Sequence, residues 1–486
     1  MSCRGRVRAV VAVAVAALLA ACGEPASDDS ADATSAGIAS VTFRLWDPAA
    51  ADAYRESFDA FNAIHRDIHV DVEIVPEDSY AARAASDLAD GVMADVFWTT
   101  SDAVAAHAHA GDLVELGEVL GEDRPAWEPS VTSLYTRDDA LWAVPQVWDS
   151  TVLFYNTELV EQAGVDPAAL TWDPAVVHDP SPDNDGEAET DGPAAAAEAP
   201  EEAAGDEGGD GATEEATPPP DDASAAPPTD TLRRAVRELT RDSEGHPATA
   251  EEFDPRSVAE WGINPDLTAP AVWLPFTAQL GGVPADDLVL TEPSALAAFT
   301  YLTALPAAPA GEAAQTPARE LFADGRLALF QSSSAVIREL ATAGEVDWGM
   351  APVPAGPDGV VSVVDGVAAA ANAASTNPEA TAEVVRWIAS PDGQAALASH
   401  GIGVPAATGA QELFLQSWAD RGVDAAAVVG TEEVVTAASG PRAQEVLQAI
   451  RPILADMFAG ERGVTDALAT AQQAAEETLG SMGEKP

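Results

Sequence analysis

Three tryptophan–aspartate neighbourhoods are the first residues in this chain with chemical content. Trp46 precedes Asp47, Trp148 precedes Asp149, and Trp98 stands four residues before Asp102. An indole face packs against the C–H face of a sugar-like ring, and a carboxylate accepts hydrogen bonds from ring hydroxyls. The same residues also suit a cation such as a polyamine, with Asp47, Asp102, Asp149 and Asp365 neutralising it and tryptophans caging it. Catalysis has little support. His-Glu-x-x-His, Gly-x-Ser-x-Gly and Gly-x-x-x-x-Gly-Lys are all missing. His107 and His109 are two residues apart and would not share a helix face, so they read as surface residues and no metal site is expected. With 81 Asp and Glu in the chain, no acid–base pair stands out. A lipid-anchored glycosidase remains the rival reading from a different class.

The elements that must position these groups alternate between strand and helix. Val41, Phe43 and Leu45 alternate as a strand that ends at Trp46-Asp47-Pro48, and Tyr54, Phe58, Phe61 and Ile64 recur at helical spacing behind it. Val70, Val72 and Ile74 form a second alternating run, followed by Tyr80, and Val96-Phe97-Trp98 and Val152–Tyr155 read as short buried strands. Asn377-Pro378-Glu379 reads as an N-cap, a first-turn proline and a first-turn acid, and Ser390-Pro391 opens the next helix. Val446, Leu447, Ile450, Ile453 and Leu454 make a late helical stripe interrupted by Pro452. The alternation predicts an α/β protein with mostly parallel sheets. Ligands of open α/β sheets bind beyond the strand C-termini, which is where Trp46 and Asp47 fall.

The N-terminus carries an address. Arg4, Arg6 and Arg8 precede an apolar run from Ala9 to Ala20, too short to span a bilayer, and Leu19-Ala20-Ala21-Cys22 follows. This order predicts a lipoprotein signal over 1–21, lipidation of Cys22 and a tether over 22–39, with the protein held on the extracellular face of the cell membrane. Cys3 leaves with the signal, so the mature chain has no internal disulfide. The formal net charge of −58 excludes phosphate-backbone binding and favours solubility, so no nucleic-acid partner is expected. From Asp173 to Asp230 there are 18 acidic residues and no Lys or Arg, which predicts a disordered acidic insertion over 173–230.

The order of motifs resembles the family 1 extracellular solute-binding proteins, the maltose-binding type. The resemblance runs through Asp59 to Tyr80, Ala94–Trp98, Ala110–Leu116, Leu141–Pro145, Leu153–Asn156, Thr171–Asp173, Phe322–Ala328 and Ala373–Ala380. It implies two α/β lobes hinged about a cleft, with lobe 1 over 40–148 and 366–437 and lobe 2 over 152–365 and 438–486. Crossings are expected near Trp148-Asp149-Ser150 and at Asp365-Gly366, where glycine would accommodate unusual backbone angles. The ligand-binding set is Trp46, Asp47, Tyr80, Trp98, Asp102, Trp148, Asp149, Asp365 and Gly366, with Trp273, Gln331 and Ser332 from lobe 2. Two departures stand out. Ser334 occupies a position where many sugar-binding relatives carry tryptophan, and Ala443-Gln444-Glu445 lacks the ring of the maltose type. The implied function is capture of a saccharide, as a monomer without cofactor, for the permease subunits of an ABC importer.

Replacing Cys22 with Ser is expected to abolish lipid labelling and processing at that site. Metabolic labelling with a fatty acid, followed by detergent partitioning, checks it; lipid on the variant would overturn the lipoprotein assignment.

Overall fold

The computed structural model describes residues 38–121, 124–175, 230–282, 289–306, 313, 315–344, 346–430, 433–436 and 443–480. The signal peptide, Cys22, nearly all of the tether and residues 176–229 of the acidic segment lie outside the described residues. Among the latter, no helix is long and apolar enough to cross a membrane.

Alternation along β1 (Ala39–Leu45) sends Val41, Phe43 and Leu45 into the core. It pairs in parallel with β2 (Ile68–Ile74) and β3 (Val96–Thr100). The helix Pro48–Ile64 covers one side, its Tyr54, Phe58 and Phe61 buried as the helical spacing predicts. After a hairpin of β4 (Thr136–Arg137) and β5 (Ala140–Leu141) comes the long β6 (Val144–Asn156). Then follow β7 (Arg241–Asp242), β8 (Val258–Ile263), β9 (Leu327–Ser333), β10 (Trp348–Ala351) and the second long strand, β11 (Val361–Ala371). The short β12 (Val404–Pro405) and β13 (Glu433–Thr436) complete the set.

The sheet runs β2-β1-β3-β11-β6-β9-β8-β7, and β6 is shared between its two sections. The first half of β6, Val144–Ser150, pairs with β11, and the second half, Thr151–Tyr155, pairs with β9. Among the described strands, parallel pairing is limited to β1–β2, β1–β3, β8–β9 and β11–β13, with one isolated parallel bridge between Thr171 and Ala355. The expectation of mostly parallel sheets is thereby corrected to a mixed sheet, because β6 and β11 return against their neighbours. One apolar core gathers Phe43, Phe58, Phe97, Val384 and Ile388 and continues to Phe322, Phe330 and Ile337. A second gathers Trp172, Trp273, Phe276, Phe299, Ile450 and Leu468.

A bulge marks the first half of β6. Val367 lies opposite Val147 and Ala368 opposite Pro145, so Gln146 is the extra residue beside a proline that has no N–H for the ladder. The Gln146 side chain is fully buried. Its amide donates to the carbonyls of Val144 (3.2 Å) and Ile388 (3.1 Å), and its Oε1 accepts from the Tyr54 hydroxyl at 2.7 Å.

Local signals held with two exceptions. The helix Pro378–Ala389 starts where predicted, but the Asn377 side chain makes no capping bond and donates instead to the Ser40 carbonyl at 2.9 Å. The helix Ala443–Phe458 runs through Pro452 without ending, since its buried face of Val446, Ile450, Leu454 and Met457 is continuous across the proline. Asp230, counted with the acidic segment on composition, caps the helix Thr231–Leu239. It accepts from the Arg233 N–H at 3.2 Å and from the Tyr301 hydroxyl at 2.8 Å. On the other side of the segment, the Thr171 N–H donates to Thr231 Oγ1 at 2.8 Å and the Leu232 N–H to the Thr171 carbonyl at 2.8 Å.

Gln146→Leu keeps the volume but strips the buried Tyr54 hydroxyl of its acceptor and several carbonyls of their donor. It is expected to destabilise the fold by about 1–3 kcal/mol. In urea unfolding, the midpoint should fall while the slope stays constant.

Candidate binding cleft

Trp46 follows the last residue of β1, and Asp47 caps the next helix, accepting from the Ala49 N–H at 2.8 Å. The Trp46 ring stands edge-on to Tyr80 (4.8 Å between centroids) and Trp98 (4.9 Å). Trp98 is only 2% exposed and is fixed from behind, its indole N–H donating to the Tyr54 hydroxyl at 3.0 Å. Through Tyr54 and Gln146 the aromatic wall is therefore tied to the bulge of β6. A cavity of about 410 Å³ opens in front of it, lined among others by Trp46, Asp47, Trp98, Trp148, Asp149 and Arg338. Ser334, Ile337, Ile402–Val404 and Phe414 complete much of its rim. Arg338 reaches across to pair with Asp47. The buried Nε of Arg338 and indole N–H of Trp148 have no hydrogen-bond partner among the described residues. Such a cavity offers flat apolar rings, unsatisfied donors and a carboxylate, the combination that orients a polar ring-shaped solute.

The two long strands meet at the edge of this cavity. Asp149 of β6 lies directly opposite Asp365 of β11, and Trp148 lies opposite Gly366. Burial pushes the Asp149 carboxyl up to about 6, against the hydrogen bond it accepts from the Ser333 hydroxyl. Asp365 is exposed to solvent beside the half-buried Asp149. Desolvation first, then the charge of Asp149, push it up to about 7, opposed by the Gly366 N–H that donates to its Oδ1 at 2.8 Å. The Tyr135 hydroxyl is fully buried and without a partner among the described residues, and its pKa is raised by burial and then by Asp365, Asp149 and Asp102. Gly366 is required by space rather than by its backbone angle. It is not among the residues with positive φ, whereas an added Cβ would lie 2.9 Å from the Val147 carbonyl and 3.4 Å from the Tyr135 hydroxyl.

Comparison with known proteins places this arrangement. The models of two families, each described as bacterial extracellular solute-binding protein, match residues 47–258 and 241–426. The crystal structure of UspC from M. tuberculosis is similar at 32% identity and a TM-score of 0.71, over 90% of this chain and 100% of that one. This chain belongs to the bacterial extracellular solute-binding proteins.

Its two-lobed fold is shared by more distant members. The GacH receptor of Streptomyces glaucescens, solved unliganded and with acarbose, superposes with a TM-score of 0.62 at 20% identity, over 91% of this chain and 98% of that one. The maltose-binding protein MalE of Listeria monocytogenes, in complex with maltose, gives 0.66 at 16% identity, over 92% and 100%. No curated protein sequence matches the chain.

In this solute-binding protein, Trp46, Asp47, Trp98, Trp148 and Asp149 come together around the cavity. Tyr80 faces a neighbouring cavity of about 260 Å³ behind Trp46, and its hydroxyl donates to the Trp98 carbonyl at 2.8 Å. Asp102 accepts from the Thr100 hydroxyl at the start of the helix Ser101–Ala110 and does not line the cleft cavity. Asp365 and Gly366 lie opposite lining residues without being part of the lining, and Ser332, paired with Val152, lies outside it. Two expectations are corrected. Trp273 is not a platform: it is 1% exposed in the second core, and its N–H donates to the Thr268 carbonyl at 3.2 Å. Gln331 is buried structural glue, donating to the Ala271 (2.9 Å) and Val272 (3.0 Å) carbonyls. Sequence reasoning missed Arg338 and Phe414. The first had a signal, since an arginine is conspicuous among only 23 basic residues against 81 acids.

Asp149 and Asp365 bind protons more tightly folded than unfolded. Their contribution to stability is present below the unfolded carboxylate pKa and is lost as pH rises through about 6 and 7. The double variant Asp149→Asn, Asp365→Asn should lack this loss, melting higher than wild type at about pH 8 and losing its advantage toward about pH 4. Parallel melting-temperature profiles for the two proteins would contradict the burial assigned to the pair.

Proposed function

We propose that this chain is the lipid-anchored, monomeric substrate-binding subunit of an ABC importer, and that its solute is a saccharide. The observation that carries the reading is the cavity itself, where Trp46 and Trp148 stand beside the Asp47–Arg338 pair and an indole N–H awaits an acceptor. A sugar satisfies all of these at once, its C–H face against the rings and its hydroxyls both accepting from donors and donating to carboxylates. Solved relatives of the same fold bind acarbose, maltose and cycloalternan, which supports the class of solute.

The reading includes the hinge. Lobe 1 over 40–148 with 366–437 and lobe 2 over 152–365 with 438–486 would close about the crossing at Asp149 and Gly366, delivering the solute to permease subunits in the membrane. The Arg338–Asp47 pair joins a residue from each proposed lobe.

Trp46→Ala is expected to weaken binding of the recognised saccharide by about 1–3 kcal/mol, with little change in melting temperature, because the ring is partly exposed and caps a wall that Trp98 and Tyr80 hold without it. Calorimetric titration across a panel of mono- and oligosaccharides tests it. Sugar binding unaffected by Trp46→Ala would move the site elsewhere. Shortened oligosaccharide products after incubation would replace the receptor reading with the glycosidase.

A further inference from the structure

Among the described ion pairs, one spans the cleft. Asp47 follows β1, in the section β2-β1-β3-β11 of the sheet, and Arg338 lies in the helix Ile337–Ala343 behind β9, in the section β9-β8-β7. Both line the cavity, and their pairing joins residues 291 positions apart. Every other described ion pair stays within one proposed lobe, as Arg386 with Glu383 does in the first and Arg451 with Asp266 in the second.

The place of this pair gives it a different role from contacts at the crossing. There the two sections share backbone, and the Ser150 N–H donates to Ser334 Oγ at 3.1 Å. Rotation about the crossing moves such contacts little. β1 stands three strands from β6, about 14 Å across the sheet, so the same rotation displaces Asp47 far more. The carboxylate is fixed at its own end, because Oδ1 caps the helix Pro48–Ile64 and leaves Oδ2 for the arginine. The bond between them is weaker. The Arg338 side chain is 35% exposed and that of Asp47 18%, and ion pairs that reach water are screened by salt and readily exchanged.

Building on the hinge in the reading above, we propose that the Asp47–Arg338 pair is a latch on the cleft: it holds the empty protein closed for part of the time and breaks before a solute enters. Closure then depends on ionic strength with no solute present. The arginine can also hold a filled cleft. Its buried Nε has no partner among the described residues, so a solute oxygen can accept from Nε while Nη2 stays on Asp47.

The test measures the distance between spin labels at Asp59 and Glu320, exposed positions on the helices Pro48–Ile64 and Ala318–Ala323. Attachment through introduced ketone-bearing residues keeps Cys3 and Cys22 out of the labelling. The purified full chain is used without added sugar. At low salt, wild type should show a short-distance population, and Arg338→Gln should lower the closed-to-open ratio about three- to fivefold. Arg338→Glu should lower it further, since two carboxylates then face each other. Raising salt to about 1 M should move wild type to the ratio of Arg338→Gln and leave that variant unchanged. Asp47→Asn keeps the helix cap but leaves Glu77 at the rim as a substitute partner, so the arginine series decides. Melting temperatures close to wild type verify that the variants fold. Two populations whose ratio ignores both Arg338 substitutions and salt would overturn the latch and leave the hinge standing. A single, unchanging distance in every protein at every salt concentration would overturn both.

Discussion

Everything else in this protein is arranged around the antiparallel pairing of β6 and β11. Among the described residues the two sections of the sheet connect through β6, and the aromatic wall of the candidate cleft is fixed with reference to it. The bulge at Gln146 anchors Tyr54, which anchors Trp98, against which Trp46 rests. A few residues on, the same strand presents Trp148 and Asp149 to the cavity. One continuous backbone thus sets both the aromatic wall and the acidic floor, and a register slip of one residue would turn both away.

How much of this was legible in the sequence depended on the range of the interaction. Strand alternation from Val41 to Leu45, the apolar face of Tyr54, Phe58 and Phe61, and the helix start at Pro378 are local, and they fold as read. The strand end at Trp46 follows from the same alternation, whereas the expectation of a crossing at Asp149 and Gly366 rested on family resemblance, which carries long-range information that periodicity does not. What failed was the direction in which a side chain points. Trp273 lies in Pro270–Ala278, a helix apolar on every side, so nothing in its pattern distinguishes a cleft ring from a core ring. Gln331 looked like a polar ligand contact because its carbonyl partners, Ala271 and Val272, come from a distant segment. Arg338 meets Asp47 across 291 positions of chain, a pairing that no window-based reading contains.

The acidity of the chain has two components of different meaning. Most of the −58 net charge is spread along the sequence, where it is solvated and keeps molecules apart. The few carboxylates at the strand crossing are different, because desolvation makes their charge costly unless it is answered. Elsewhere such groups are answered internally: Arg44 is buried against Glu73 and Asp87, and Asp230 against Arg233. At the crossing, the described residues answer Asp149 and Asp365 with the neutral donors Ser333 and Gly366.

The knot of hydrogen bonds between Thr171 and Thr231 has an architectural consequence. Two stretches of chain 60 positions apart are bonded directly to each other here, so the described scaffold is closed at this point by its own contacts. Closing a longer excursion costs only logarithmically more entropy. A point closed in this way is where a change in the length of chain between its two sides asks least of the scaffold.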